Sequence, residues 1–246
     1  MLMEKWNKGW KVWKEENAFR LINLIPADAK QVDLPYDAVF HQPQDPESPN
    51  EGKTGFLNGG TWHYAKEYYA PESERGMTIR LLFEGCAEKT YVFVNDSLAG
   101  ESNYAYTEFY VDISSYLQYG RTNQIVVTTT TLELSSRFYC GGGIYRDVYL
   151  CRGGDVYLEP EHLRVTTKAV NGDSAFVCVD AQLVNQVPYA VEAKLQLEIA
   201  DMAGRSVFNA EYPVHLPGKR ATLFSHHFQV KGIEAWSADN PVLYCC

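Results

Sequence analysis

Residues 195–199 read Leu-Gln-Leu-Glu-Ile, apolar and polar by strict turns, the period of a strand that buries one face. Shorter runs of the same kind recur along the chain. Residues 77–84 are apolar and alternating, and residues 91–94 pair with 98–100 across Asn95-Asp96-Ser97, a hairpin-turn composition. Residues 109–113 and 125–132 follow, the latter carrying four consecutive threonines, Thr128 to Thr131, whose branched side chains favour strand. Residues 144–150 leave the triplet Gly141-Gly142-Gly143, a turn too tight for side chains, and residues 148–151 close this set. Short strands at steady intervals without intervening helices predict a β-sandwich or barrel. Trp6, Trp10 and Trp13 stand at near-helical spacing and read as a short helix or as extended chain. Residues 42–53 are a loop by composition.

The segment Cys151-Arg152-Gly153-Gly154-Asp155 is the best boundary, because its glycine pair supplies a hinge. It divides the chain into domains 1–153 and 154–246. In the second, turns at Asn171-Gly172-Asp173 and Asp201-Met202-Ala203-Gly204 separate runs at 176–184, 195–199, 207–214 and 221–230, after an opening at His162-Leu163-Arg164-Val165. About six strands fit where an immunoglobulin-like sandwich uses seven. The final strand is therefore expected to be missing or incomplete, with an edge open to pairing.

Of the 246 residues, 46% are hydrophobic and 22% charged, enough for a real core. A net charge of −9 and a pI near 5.2 argue against nucleic acid and anionic membrane surfaces as partners. No apolar run is long enough to span a bilayer, and the first residues lack the pattern of a signal peptide. The six cysteines, at 86, 140, 151, 178, 245 and 246, form no Cys-x-x-Cys pair or zinc pattern. A reducing, cytoplasmic setting with free thiols is the expectation.

Several chemistries lack their residues. Ser135-Ser136 is not a nucleophile elbow, and the glycine triplet lacks the Lys-Ser/Thr of a phosphate loop. His226-His227 on a strand point to opposite faces and make a poor metal pair. Trp62, Tyr64 and Tyr104 either pack in the core or form a stacking face for a sugar ring. No catalytic residue and no metal site is assigned.

The segment Gly141-Gly142-Gly143-Ile144-Tyr145-Arg146-Asp147-Val148 resembles the end of the amino-terminal sugar-binding domain of glycoside hydrolase family two, the β-galactosidase, β-glucuronidase and β-mannosidase group. Other motifs of that family appear in order. They are Leu34-Pro35-Tyr36-Asp37, with Tyr for the family's His; Gly59-Gly60-Thr61-Trp62-His63-Tyr64-Ala65-Lys66, with one residue inserted; and Val92-Phe93-Val94-Asn95-Asp96 followed by Gly100. Tyr106-Thr107-Glu108-Phe109 through Ile113, and Trp236-Ser237-Ala238-Asp239-Asn240-Pro241-Val242-Leu243-Tyr244, complete the set.

The resemblance implies an all-β protein, a galactose-binding-like jelly roll followed by an immunoglobulin-like sandwich, and favours extended chain around the first tryptophans. Family members continue into a (β/α)₈ barrel that carries both catalytic glutamates. The chain stops at Cys246, so it reads as the non-catalytic front part of a β-galactosidase-like enzyme, inactive alone. The Asn50-Glu51 dipeptide copies the family's acid/base pair by chance, since it falls in a loop outside any barrel. Asp147 matches an aspartate that, in β-galactosidase members, reaches the barrel's sugar site and in some members a sodium ion. Its bland alternative is an ion pair with Arg146 or Arg137. Asn58 precedes Gly59-Gly60 as the β-galactosidase pattern has an asparagine near this loop, and its amide can bind a sugar hydroxyl, against the alternative of a simple turn residue. The implied partners are a terminal β-galactoside, the enzyme's own barrel and a second copy of the chain. A sodium or magnesium ion is implied only for the complete enzyme. A stand-alone carbohydrate-binding module and a scaffold or oligomerisation domain are the alternatives.

Overall fold

The computed structural model describes residues 1–16, 24–131 and 141–246, which divide into two compact units, Leu2–Arg152 and Gly153–Cys246 with Met1. The first unit contains β1 (Leu2–Lys5), β2 (Trp10–Lys14), β3 (Lys30–Val32), β4 (Tyr36–Asp37), β5 (Gly60–Ala70), β6 (Thr78–Phe83) and β7 (Cys86–Ala87). It continues with β8 (Lys89–Val94), β9 (Ser97–Ser102), β10 (Phe109–Asp112), β11 (Arg121–Thr131), β12 (Gly143–Ile144) and β13 (Val148–Gly153). A six-stranded sheet, β3-β2-β5-β11-β8-β9, and a four-stranded sheet, β1-β13-β6-β10, enclose one core. Trp10, Tyr64, Ile79, Leu81, Phe83, Ile125, Val127, Val148 and Leu150 fill it. A small third sheet, β4-β12-β7, lies at the glycine triplet.

The chain is all-β, as its alternation predicts. The helical reading of the first tryptophans fails for a packing reason. Trp10 and Val12 on β2 are buried while Lys11 is exposed, so the run follows a strand's period. Trp13, on the other face, stacks on His63 at 5.2 Å. The hairpin at Asn95-Asp96 forms between β8 and β9. Both residues have positive φ, 47° and 70°, as the tight turn between twisted strands requires. Asn95 also donates its side-chain amide to Asn123 Oδ1 at 2.7 Å and to the Tyr116 carbonyl at 3.1 Å.

The second unit contains β14 (Val156–Leu158), β15 (Arg164–Asn171), β16 (Ser174–Asn185), β17 (Val191–Asp201), β18 (Ser206–Leu216), β19 (Arg220–Lys231) and β20 (Tyr244–Cys245). Strand β16 pairs with β14 and β15 on one side and β19 on the other, while β17 lies between β18 and β20. Ala175, Val177, Val179, Leu197, Ile199, Phe228 and Val230 form its core. The β20 strand meets β17 only at Ala200 and Asp201. His226 packs among Tyr212 and Phe228, whereas His227 lies beside Cys178 on the opposite face.

Candidate functional site

The site begins with a backbone that only glycine can trace. Gly141 and Gly143 have φ of +90° and +85°. A Cβ on Gly142 would stand 2.1 Å from Val39, and one on Gly143 would stand 1.9 Å from the Tyr64 hydroxyl oxygen. Asp37 fixes this turn: its carboxylate accepts the Gly142 N–H at 3.1 Å and the Phe40 N–H at 2.9 Å. The two residues of β12 then pair with both β4 and β7. Three residues separate β12 from β13, and these three, Tyr145, Arg146 and Asp147, turn toward an open depression.

That depression, about 660 Å³ in volume, is lined by Pro35, Glu84, Tyr106, Glu108, Tyr145, Arg146 and Asp147. Tyr145 donates its hydroxyl to the Ala105 carbonyl, and the Arg146 guanidinium lies 5.6 Å from the Tyr145 ring centre. The Glu84 N–H donates to the Asp147 carbonyl at 3.1 Å.

The Asp147 carboxylate is held from two sides. Asn7 donates its side-chain amide to Oδ1 at 2.7 Å, Lys5 places Nζ 2.6 Å from Oδ2, and the Tyr149 hydroxyl donates to Oδ2 at 3.4 Å. Its ion-pair partner is thus Lys5 and not Arg146; Arg137 lies outside the described residues. The Lys5 ammonium, with help from Asn7, holds this carboxyl below the usual carboxylate range against the opposing effect of desolvation. An ionised carboxylate only accepts hydrogen bonds. The group is therefore suited to receive hydroxyls and unsuited to deliver a proton near neutral pH.

Asn58 lies elsewhere. It donates its amide to Asp45 at 2.9 Å, which lowers the Asp45 pKa, and its backbone carbonyl accepts from Gln42 at 2.8 Å. Its side-chain oxygen is buried without a hydrogen-bond partner. It does not line the Asp147 depression. The three aromatics also separate. Tyr64 is fully buried and donates to the Tyr36 carbonyl at 2.8 Å, so it serves the core. Trp62 is half-buried beneath the Lys14 ammonium at 5.6 Å, and exposed Tyr104 meets Tyr106 edge-on at 5.7 Å. Among the described residues no three His, Cys, Asp or Glu side chains are arranged to hold a metal ion.

Lys5, Asn7, Glu84 and Tyr145 escape a linear reading. Asn7 and Asp147 are 140 residues apart, and only the turn chemistry of Asn7-Lys8-Gly9-Trp10 marks the first. There Gly9, at φ +75°, donates its N–H to Asp33 at 2.8 Å.

Residues 30–153 match the family model described as glycosyl hydrolases family 2, sugar binding domain, and residues 156–246 match the one described as glycosyl hydrolases family 2. A β-galactosidase of Bacteroides ovatus is 28% identical over 218 residues, 88% of this chain and 26% of that protein. A β-glucuronidase of Bacteroides fragilis is 26% identical over 194 residues, 74% of this chain and 27% of that protein. The crystal structure of a family 2 member from Bacteroides cellulosilyticus superposes with a TM-score of 0.89 at 29% identity, covering 99% of this chain and 32% of that one. The chain thus spans 26% to 32% of the length of these three proteins.

Proposed function

Because this chain belongs to glycoside hydrolase family 2, we propose that its first unit forms the rim of a sugar site in a retaining β-glycosidase of the β-galactosidase type. Asp147 accepts hydroxyl hydrogen bonds from a terminal β-galactoside. The reactive carboxyl pair, which must stand about 5 Å apart across the glycosidic bond, belongs to the (β/α)₈ barrel of the complete enzyme. The second unit is a spacer toward that barrel. The observation that carries this reading is the ionised, two-sided clamp on Asp147 at a polar depression. A hydrogen bond to a charged acceptor contributes about 1.5–3 kcal/mol. Such a bond made to a fixed carboxylate also orients the ring before chemistry begins.

The sodium or magnesium ion of the resemblance does not fit the residues of this chain alone. The Lys5 ammonium already occupies the cation position at Asp147, 2.6 Å from Oδ2, and among the described residues no three His, Cys, Asp or Glu side chains cluster there.

The purified chain is expected not to hydrolyse nitrophenyl β-galactoside. Turnover that vanished on replacing Glu84, Glu108 or Asp147 would overturn the division of labour. In the complete hydrolase, Asp147→Asn should lower kcat/KM for the same substrate about tenfold to a hundredfold, the loss of one charged hydrogen bond. An unchanged value removes Asp147 from the sugar site.

A further inference from the structure

We infer that Asn7 is the positioning residue of the Asp147 depression, tying three separate segments of the chain into one geometry. The inference rests on the sugar-site reading of Asp147 for its functional meaning, though not for its geometry.

Asn7 follows β1 and is 7% exposed. Its side-chain amide nitrogen donates to Asp147 Oδ1 at 2.7 Å, and its side-chain oxygen accepts the Val148 N–H at 2.9 Å. Its backbone carbonyl accepts the Leu34 N–H at 2.9 Å. The residue after Leu34 is Pro35, which lines the depression beside Asp147. One step earlier, the Trp6 N–H donates to the Val148 carbonyl at 2.8 Å. Asn7 therefore fixes the Asp147 side chain, registers the start of β13, and anchors the loop that brings Pro35 to the depression.

The chemistry calls for asparagine. The position needs one donor and one acceptor on a single short planar group. Aspartate keeps the acceptor but sets a second carboxylate against the first. Leucine fills the space and supplies neither bond. Lys5 plays a different part. Its side chain is 58% exposed, so solvent shares its charge and its flexible stem defines no direction. Lys5 supplies charge to Asp147, and Asn7 supplies its orientation. The other polar groups at or near the carboxylate are Tyr149 and, around the depression, Glu84, Glu108, Arg146, Tyr106 and Tyr145.

The test uses the 246-residue chain, labelled so that the Asp147 carboxyl carbon is followed by NMR. Asn7→Leu should raise the Asp147 titration midpoint and strip exchange protection from the Val148 amide, while the Leu34 amide stays protected. Asn7→Asp, the variant of nearly unchanged size, should raise the midpoint and leave Val148 protected. An unmoved midpoint in both variants overturns the inference. Titration with methyl β-galactoside then joins geometry to function. Asn7→Leu should weaken the Asp147 response at least about tenfold, the worth of one hydrogen bond to a charged group, and shift the pH at which it disappears upward. If Asp147→Asn weakens binding and Asn7→Leu does not, the positioning role is refuted. If the sugar leaves wild type unshifted, or Asp147→Asn changes nothing, the sugar reading of this chain falls and the carboxyl titration alone decides the role of Asn7.

Discussion

The Tyr64 hydroxyl oxygen lies 1.9 Å from where a methyl group at Gly143 would stand, and that hydroxyl donates to the Tyr36 carbonyl. The glycine turn and the buried phenol therefore specify one another: the phenol braces β4 through space that any side chain at 143 would occupy. Gly143→Ala should destabilise the first unit by about 3 kcal/mol or more, from positive-φ strain together with overpacking. Urea unfolding should show a lower midpoint with an unchanged slope. The double variant with Tyr64→Phe should recover part of the loss.

A second prediction concerns the charge network around the nearly buried Glu74 of the same unit. Arg152 pairs with Glu74 at 2.8 Å and Glu4 at 2.7 Å, and Tyr68 donates its hydroxyl to Glu74. The Glu74 side chain is 11% exposed, so Arg152→Met leaves a nearly buried carboxylate with only a phenol for company. The expected cost is about 3 kcal/mol, and Arg152→Met with Glu74→Leu should restore most of it, because the desolvated charge leaves with its partner. A double variant no more stable than the single one would contradict this account.

Lys66 carries a pH dependence of defined sign. Its ammonium donates to the Trp6 carbonyl at 2.9 Å and lies 4.2 Å from the Trp6 ring centre, and burial brings its pKa down from 10.5 to about 8. Between these values the unfolded chain holds a proton that the folded chain has released. Stability contributed through this group therefore climbs as pH rises from about 8 toward 10.5. Lys66→Met removes the term. The stability of the variant relative to wild type should fall across that interval, and a flat difference would show that Lys66 titrates normally.

Thiol accessibility offers a direct check on both units. Cys86, Cys151 and Cys178 are buried and Cys245 and Cys246 exposed. Desolvation also pushes the Cys86 and Cys151 thiols up, which suppresses the reactive thiolate. Brief iodoacetamide treatment of the native protein should modify Cys245 and Cys246 and spare Cys86, Cys151 and Cys178, read by peptide mass spectrometry. Early modification of Cys86 would contradict its place in the core.

Legibility in the sequence followed the range of each interaction. The turn at Asn95-Asp96 and the alternation of β17 depend on residues a few positions apart, and both are visible in the chain. The tryptophans at 6, 10 and 13 admit both a helix and extended chain, because helical spacing says nothing about which side of β2 is buried. Asp147 is conspicuous as a charge within an apolar run, yet the Lys5 and Asn7 that hold it lie at the far end of the unit. Tyr64 resembles a sugar platform until its hydroxyl is seen serving β4. Ser135-Ser136, Arg137 and Cys140 lie outside the described residues.

The pairing of β1 bears on how the protein is made. Among the described residues its partner is β13 alone, with Leu2 opposite Arg152 and Lys5 opposite Tyr149. In synthesis β1 precedes its partner β13 by the whole length of the unit, so it must wait for that strand at a rate of about 5–20 residues per second. Throughout that delay the backbone of β1 is an unpaired edge, open to chaperones and to neighbouring nascent chains. The clamp on Asp147 closes only when that wait is over.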